Sequence, residues 1–298
     1  MKKVTSFSFA FLIVLSVIAQ EKTFVIYSIK GNVSIVNNKA ESKAKIGTIL
    51  QANESIKVGP ASFATLICNQ TRLFTLNKSA SYSISSLGDS CKESKNSVSA
   101  NYVKYIWSEF TKAHGSPEKN RTSYMANVGA VSRSINNVWI DPKLDTMNYV
   151  SGTIPLSWKS YTDAEEFEFK LYNVENDNAP IFTKAVKKKH IDIGDILKMI
   201  EPGKAYHWSA MIKGEENEDR KYIRYYTKEE YINFYNGLKK TEAAETDAEQ
   251  NFRLGFLLEE NHFQAEAYNH YMKATQLAPT NTLYRSVFMN FKKDYEIK

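Results

Sequence analysis

Cysteine, proline and glycine are scarce in this chain: two, seven and twelve among 298 residues. That scarcity excludes a disulfide-dense scaffold, a collagen-like repeat and a proline-rich low-complexity chain. Familiar catalytic signatures are also missing. There is no His-Glu-x-x-His pair, no Gly-x-Ser-x-Gly elbow, no phosphate loop, and no cysteine beside a general base. The five histidines, His114, His190, His207, His262 and His270, form no zinc motif, and the last two are separated by an expected helix-helix turn near Asn261. Triads assembled in space leave no such local trace. Even so, the residues point to no enzyme, no metal and no cofactor. Charge of one sign is not concentrated either. The formal net charge is +6, with Lys, Asp and Glu interspersed, and nucleic-acid binding needs a clustered basic face. The one basic run, Lys187-Lys188-Lys189-His190, reads as a solvated strand edge, where lysines resist sheet-to-sheet association. After residue 19 no apolar run is long enough to cross a bilayer.

What is present begins with an export signal. Lys2 and Lys3 precede an apolar run from Phe7 to Ile18. Val17 and Ala19 then supply the small residues of a signal peptidase site, so Gln20 is the expected mature N-terminus. The run is short for a membrane span, which makes an uncleaved anchor the weaker alternative. No cysteine follows the junction to carry a lipid. The expectation is an exported protein of the periplasm or cell envelope, with no membrane span once Ala19 is cut. In that compartment Cys68 and Cys91 suggest a disulfide, two free thiols being the alternative.

From Phe24 to Leu87 short strands alternate with turn signals at Gly31-Asn32, Asn37-Asn38, Gly59-Pro60 and Asn69-Gln70. A spacing near ten residues argues an all-β unit. The stretch resembles the FecR-type β domain through Gly31-Asn32-Val33-Ser34-Ile35, Ile46-Gly47-Thr48-Ile49-Leu50, Ile56-Lys57-Val58-Gly59, Ser62-Phe63-Ala64-Thr65-Leu66 and Arg72-Leu73-Phe74-Thr75-Leu76. Asn69-Gln70-Thr71 replaces the family's usual Asp-Gly turn. The resemblance implies an extracytoplasmic module for ligand or protein sensing. The sigma-factor arm and transmembrane helix of true FecR regulators are missing, so their regulatory role does not carry over.

Val98, Tyr102, Tyr105, Ile106, Glu109 and Phe110 recur at helical spacing, predicting a helix over 99–114 that ends at Gly115-Ser116-Pro117. Its aromatic stripe reads as a buried face rather than a ligand platform. Residues 127–140 have weak strand character. Strand patterns return at 147. Leu156-Ser157-Trp158, the alternating Phe167 to Tyr172, and Glu201-Pro202-Gly203-Lys204-Ala205-Tyr206-His207-Trp208 resemble a fibronectin type III or immunoglobulin-like domain. That likeness implies a β-sandwich with Trp158 and Tyr206 in its core, used as a spacer or protein-binding module. The acidic Glu215 to Asp219 lacks calcium-ligand spacing and reads as a hairpin loop.

After Thr227 the chain becomes helical, with Tyr231, Phe234, Tyr235 and Leu238 on one stripe. Leu254, Gly255, Leu258, Ala267, Tyr271, Ala274 and Pro279 then fall at the spacing of one 34-residue tetratricopeptide repeat over 248–281, with Asn251 in place of the usual Trp. One repeat cannot bury its own apolar side. The Tyr231 helix and a last helix over 282–295 are expected to complete a bundle. Repeats of this family bind peptides in a groove; a lone repeat can equally be a packing or dimerisation unit.

The expected architecture is multi-domain α+β: signal peptide 1–19, FecR-like domain 20–90, linker with one helix 91–146, immunoglobulin-like domain 147–227, and helical region 228–298. The expected function is that of a non-catalytic adaptor of a bacterial envelope, binding a protein partner through the repeat or the β modules. A ligand-sensing component of a signalling system and a cell-wall or polysaccharide binder are the alternatives.

Overall fold

The computed structural model describes residues 23–38, 40–70, 72–91, 99–111, 121, 137–141, 144–241 and 243–297. The signal segment, its Ala19–Gln20 junction and His114 lie outside them. So does most of the stretch from 112 to 136, including nearly all of the weak strand pattern expected over 127–140. The chain is a mixed α+β protein. Antiparallel sheets fill the N-terminal two-thirds and four helices close the C-terminal end.

Strands β1 (Phe24–Lys30), β2 (Val33–Asn37), β3 (Ala40–Lys43), β4 (Ile49–Leu50), β5 (Ser55–Val58), β6 (Phe63–Cys68), β7 (Arg72–Leu76) and β8 (Ala80–Ser83) form two four-stranded sheets. Their orders are β4-β1-β6-β7 and β3-β2-β5-β8. Side chains alternate across a strand, so Phe24, Ile26, Leu66 and Cys68 from the first sheet meet Val33, Ile35, Ile56 and Val58 from the second in one core. The β1–β2 turn requires Gly31, at φ +81°, where a β-carbon would lie 2.3 Å from Ser62 Oγ. A 3₁₀ turn, Ile84–Cys91, returns the chain to β6. There Cys68 and Cys91 are disulfide-bonded, with Cα atoms 5.6 Å apart. Strand β3 has no apolar signal and every residue exposed. It forms because β2 supplies a hairpin partner.

Strand β1 is buried on both faces, from Phe24 through Tyr27. Its second face, with Val25 and Tyr27, packs beside Ile67 and Leu73 against α1 (Ala100–Thr111) and the C-terminal helices. Continuous apolar runs rather than clean alternation are what two-sided cover demands. Tyr102, Tyr105 and Ile106 of α1 are buried, so the aromatic stripe is a core face.

The second β unit is built from β9 (Val138–Trp139), β10 (Thr146–Tyr149), β11 (Leu156–Ser157), β12 (Lys159–Ser160), β13 (Phe167–Asn173), β14 (Phe182–Val186), β15 (His190–Ile191), a short α2 (Ile193–Ile196), β16 (Ala205–Ile212) and β17 (Lys221–Tyr225). A five-stranded sheet runs β10-β17-β16-β13-β14, with β10 parallel to β17. The β11–β15 and β12–β9 pairs are separate ladders. Trp158, Phe167, Phe169, Leu171 and Trp208 are all at most 1% exposed. Tyr206 is buried, and its hydroxyl accepts from the Glu201 amide at 2.9 Å. Of the described residues between 91 and 146, those of α1 lie in the shared core and β9 pairs with β12.

The helical unit comprises α3 (Lys228–Lys239), α4 (Asp247–Glu260), α5 (Gln264–Leu277) and α6 (Thr282–Asp294). Thr227 caps α3 in a capping box with Glu230, and Thr246 caps α4 with Glu249. Each box satisfies two N-terminal N–H groups reciprocally. One continuous apolar core runs from the outer face of β1 through α1 and the helices into the second β unit.

Candidate functional site

Helix α4 is the centre of the molecule. Glu249 and every residue from Asn251 to Glu259 are buried. The expected repeat-signature residues Leu254, Gly255, Leu258, Ala267, Tyr271 and Ala274 are all buried where α4 and α5 cross. Pro279 follows α5 and is exposed. Gly255 is needed there: a β-carbon would lie 2.8 Å from the Tyr271 ring.

The first β unit docks on α4 through polar groups. Ser28 Oγ donates to Glu249 Oε2 at 2.5 Å, and Tyr27 donates to Glu245 at 2.9 Å. The Tyr27 and Tyr102 hydroxyls share a 3.0 Å bond. Thr65 Oγ1 donates to the Ala244 carbonyl, and the Ala244 amide donates to Thr75. Arg253, fully buried, donates from Nε to both oxygens of Glu245 at 2.9 and 3.0 Å. Burial opposes the Arg253 charge, but Glu245 outweighs it and the pKa is raised. Burial raises Glu249, while Ser28 and Thr246 donate to its charged form. Tyr27 and Tyr102 are pushed up by burial.

The second β unit docks on the α4–α5 turn. The Asn148 amide donates to the His262 carbonyl and its Nδ2 to the Asn261 carbonyl, both at 2.8 Å. The Ser151 amide and hydroxyl both donate to Glu266 Oε1 at 3.3 Å. Burial raises the Glu266 pKa to about 7.

Two further polar clusters lie inside the helical unit. Arg121 is fully buried and ion-paired to Glu259 and Asp294. Tyr271 and Tyr295 also donate to Glu259. His270 Nδ1 bonds Asn251 Oδ1 at 2.9 Å, and the Tyr235 hydroxyl bonds Nε2 at 3.1 Å. Burial, with Lys273 and Lys239 nearby, lowers the His270 pKa to about 4. Since Asn251 Oδ1 only accepts, Nδ1 carries the proton and Nε2 accepts from Tyr235.

These clusters hold elements together. The four described histidines lie on different elements. His190 and His207 lie 3.8 Å from Asp192 and Asp177 in the second β unit, and His262 sits in the α4–α5 turn. Among the described residues no three His, Cys, Asp or Glu side chains converge as metal ligands. The acidic 215–219 stretch joins β16 to β17. In it Asn217 is buried on the Ala210 carbonyl, and Asp219 pairs with Lys221 at 3.0 Å.

The two glutamate–serine contacts were not legible in the sequence. Thr246 and Glu249 read as a capping box. Glu266 reads as an ordinary acidic residue in a first helical turn. Neither pattern reports burial under a β unit. No family model matches the chain, and no curated protein is significantly similar to it.

Proposed function

We propose that the chain is an exported, non-catalytic adaptor of a bacterial envelope, in which a tetratricopeptide-like hairpin serves as an internal hub and the β units present the contact surfaces. The observation that carries the reading is the enclosure of α4. Groove binding needs an open helical face. Here α4 is covered along its length by β1, α1 and its helical neighbours. Of the two uses open to a lone repeat, this cover favours packing over groove binding.

The remaining surfaces belong to the units that resemble FecR-type and immunoglobulin-like domains. Strand β14 is the outer strand of the five-stranded sheet and is only half-covered. It leads into Lys187, Lys188 and Lys189, all exposed. An edge strand offers unpaired backbone groups to an extended partner segment, and the lysines favour an acidic one.

Pull-down from an envelope extract with the mature chain tests the reading. A protein partner is expected, and it should be lost when Lys187, Lys188 and Lys189 are all changed to Glu. Retention on isolated peptidoglycan without any protein partner would replace the reading with wall binding. Hydrolytic turnover abolished by one His or carboxylate substitution would defeat it.

A further inference from the structure

The helical hub is joined to both β units by a serine donating to a buried glutamate, yet the two joints differ in how that glutamate is balanced. At the first joint Glu249 accepts from Ser28 and from the amide and hydroxyl of Thr246. The neighbouring Glu245 is paired with the buried Arg253. At the second joint Glu266 is 7% exposed and no cation pairs with it among the described residues. Its Oε1 accepts two 3.3 Å bonds from Ser151, and its own amide also favours the charged form. Its Oε2 is buried with no hydrogen-bond partner. The contact is tight: a β-carbon on Gly152 would lie 2.8 Å from Ala265 Cβ.

We infer that the joint between the second β unit and the helical hub is proton-linked: it closes over Glu266 as the neutral acid and loosens when that carboxyl ionises. A buried, uncompensated carboxylate is strongly disfavoured, so closure and ionisation compete. Ser151 lies on the carboxyl and Gly152 against the adjoining Ala265, so separating the 148–152 segment from α5 exposes Glu266 to water. Of the other titratable groups around it, the tyrosines lie above this range, while His262 is shifted in the opposite sense. Tyr149 on β10 and Tyr231 on α3 feel its charge, and both are raised by burial above the ordinary tyrosine value. His262, in the adjoining turn, is lowered by burial and interacts with Asp145. The Glu266 amide and the Ser151 donors favour the ion, but burial outweighs them.

The sign follows. Below the ordinary value of 4.5, Glu266 is neutral whether the joint is open or closed, and closure is at its strongest. Between 4.5 and about 7 the closed form holds a proton that the open form has lost. Above that range the closed form must bury the charge. The full gap corresponds to a loss of up to ~300-fold in the closure equilibrium.

Hydrogen exchange on the full mature chain tests this, with rates corrected for intrinsic pH dependence. The reporters are the amides of Asn148 and Ser151, which bond His262 and Glu266. Their protection is expected to fall by roughly 100-fold from pH 5 to pH 8. Amides of β1 around Tyr27 and Ser28 should lose less protection, because Glu249 is also raised by burial but keeps Ser28 and Thr246 as donors to its ion. Glu266→Gln should remove the pH dependence. Ser151→Ala, which keeps the amide and removes the hydroxyl donor, should lower protection at pH 8 and leave pH 5 unchanged. Flat protection in the unaltered chain, or pH dependence persisting in Glu266→Gln, overturns the inference. So does equal loss at both joints. If Glu266→Gln fails to fold, the unaltered chain and Ser151→Ala decide between the outcomes.

Discussion

The hydroxyls of Tyr27 and Tyr102 meet at 3.0 Å, although 75 residues separate them in the chain. The bond ties the outer face of β1 to α1, and the Tyr27 hydroxyl donates a hydrogen bond to Glu245 beside Arg253. Three segments that look independent in sequence are thereby held in one polar network.

Tyr27→Phe should test that network. It removes a buried donor and leaves the Tyr102 hydroxyl and one Glu245 contact without it. The expected cost is about 1–3 kcal/mol, read as a lower urea midpoint with an unchanged slope.

Two glycines should respond to alanine with opposite signs. At Gly255 the new methyl meets the Tyr271 ring at 2.8 Å, with backbone of α4 on one side and packed aromatics on the other. A loss of about 1–3 kcal/mol is expected. At Gly237, on the exposed side of α3, nothing lies within 4 Å of the added carbon. A gain of roughly 0.4–1 kcal/mol is expected there from helix propensity and a less flexible unfolded chain. Thermal unfolding of the two variants checks both signs.

The Cys68–Cys91 bond closes a loop of 23 residues in separation, from the end of β6 to the 3₁₀ turn. Replacing both cysteines by alanine should cost about 3 kcal/mol. Thiol titration of the purified chain without reductant should find no free thiol. Two titratable thiols would contradict the bridge.

The pH dependence of stability should be flatter in the unaltered chain than in either of two variants. The His270 pKa is lowered to about 4, so its contribution is full above 6.5 and is lost as pH falls toward 4. Glu266 is raised to about 7, so its contribution is full below 4.5 and is lost as pH rises toward 7. The two oppose each other over the same window. Glu266→Gln should leave a chain that weakens on acidification from 6.5. His270→Gln should leave one that strengthens from pH 7 downward. Urea midpoints between pH 4.5 and 7.5 give both slopes, and identical slopes in the two variants would contradict the assignment.

Much of this fold is local and therefore readable. Alternation marks β2, β5 and β13, and Thr227 marks a helix start by a hydroxyl three residues before a carboxylate. The α4–α5 hairpin was readable because Gly255, Ala267 and Tyr271 are constrained by one short crossing. Strand β3 was not, since Ala40-Glu41-Ser42-Lys43 has no buried side and exists only through its pairing with β2. Strand β9 lies at the end of the weak strand pattern over 127–140, and its two residues pair opposite Lys159 and Ser160.

The sequence by itself determined the secondary elements whose signals are periodic, the α+β division of the chain and the pair of cysteines able to bridge. Only the tertiary structure decided that β1 is covered on both faces, that α4 is enclosed rather than open, and that Glu249 and Glu266 are buried at joints. The reason is range. Caps, turns and periodicity depend on neighbours a few residues away, whereas burial of a glutamate depends on Ser28 or Ser151, which lie 221 and 115 residues distant.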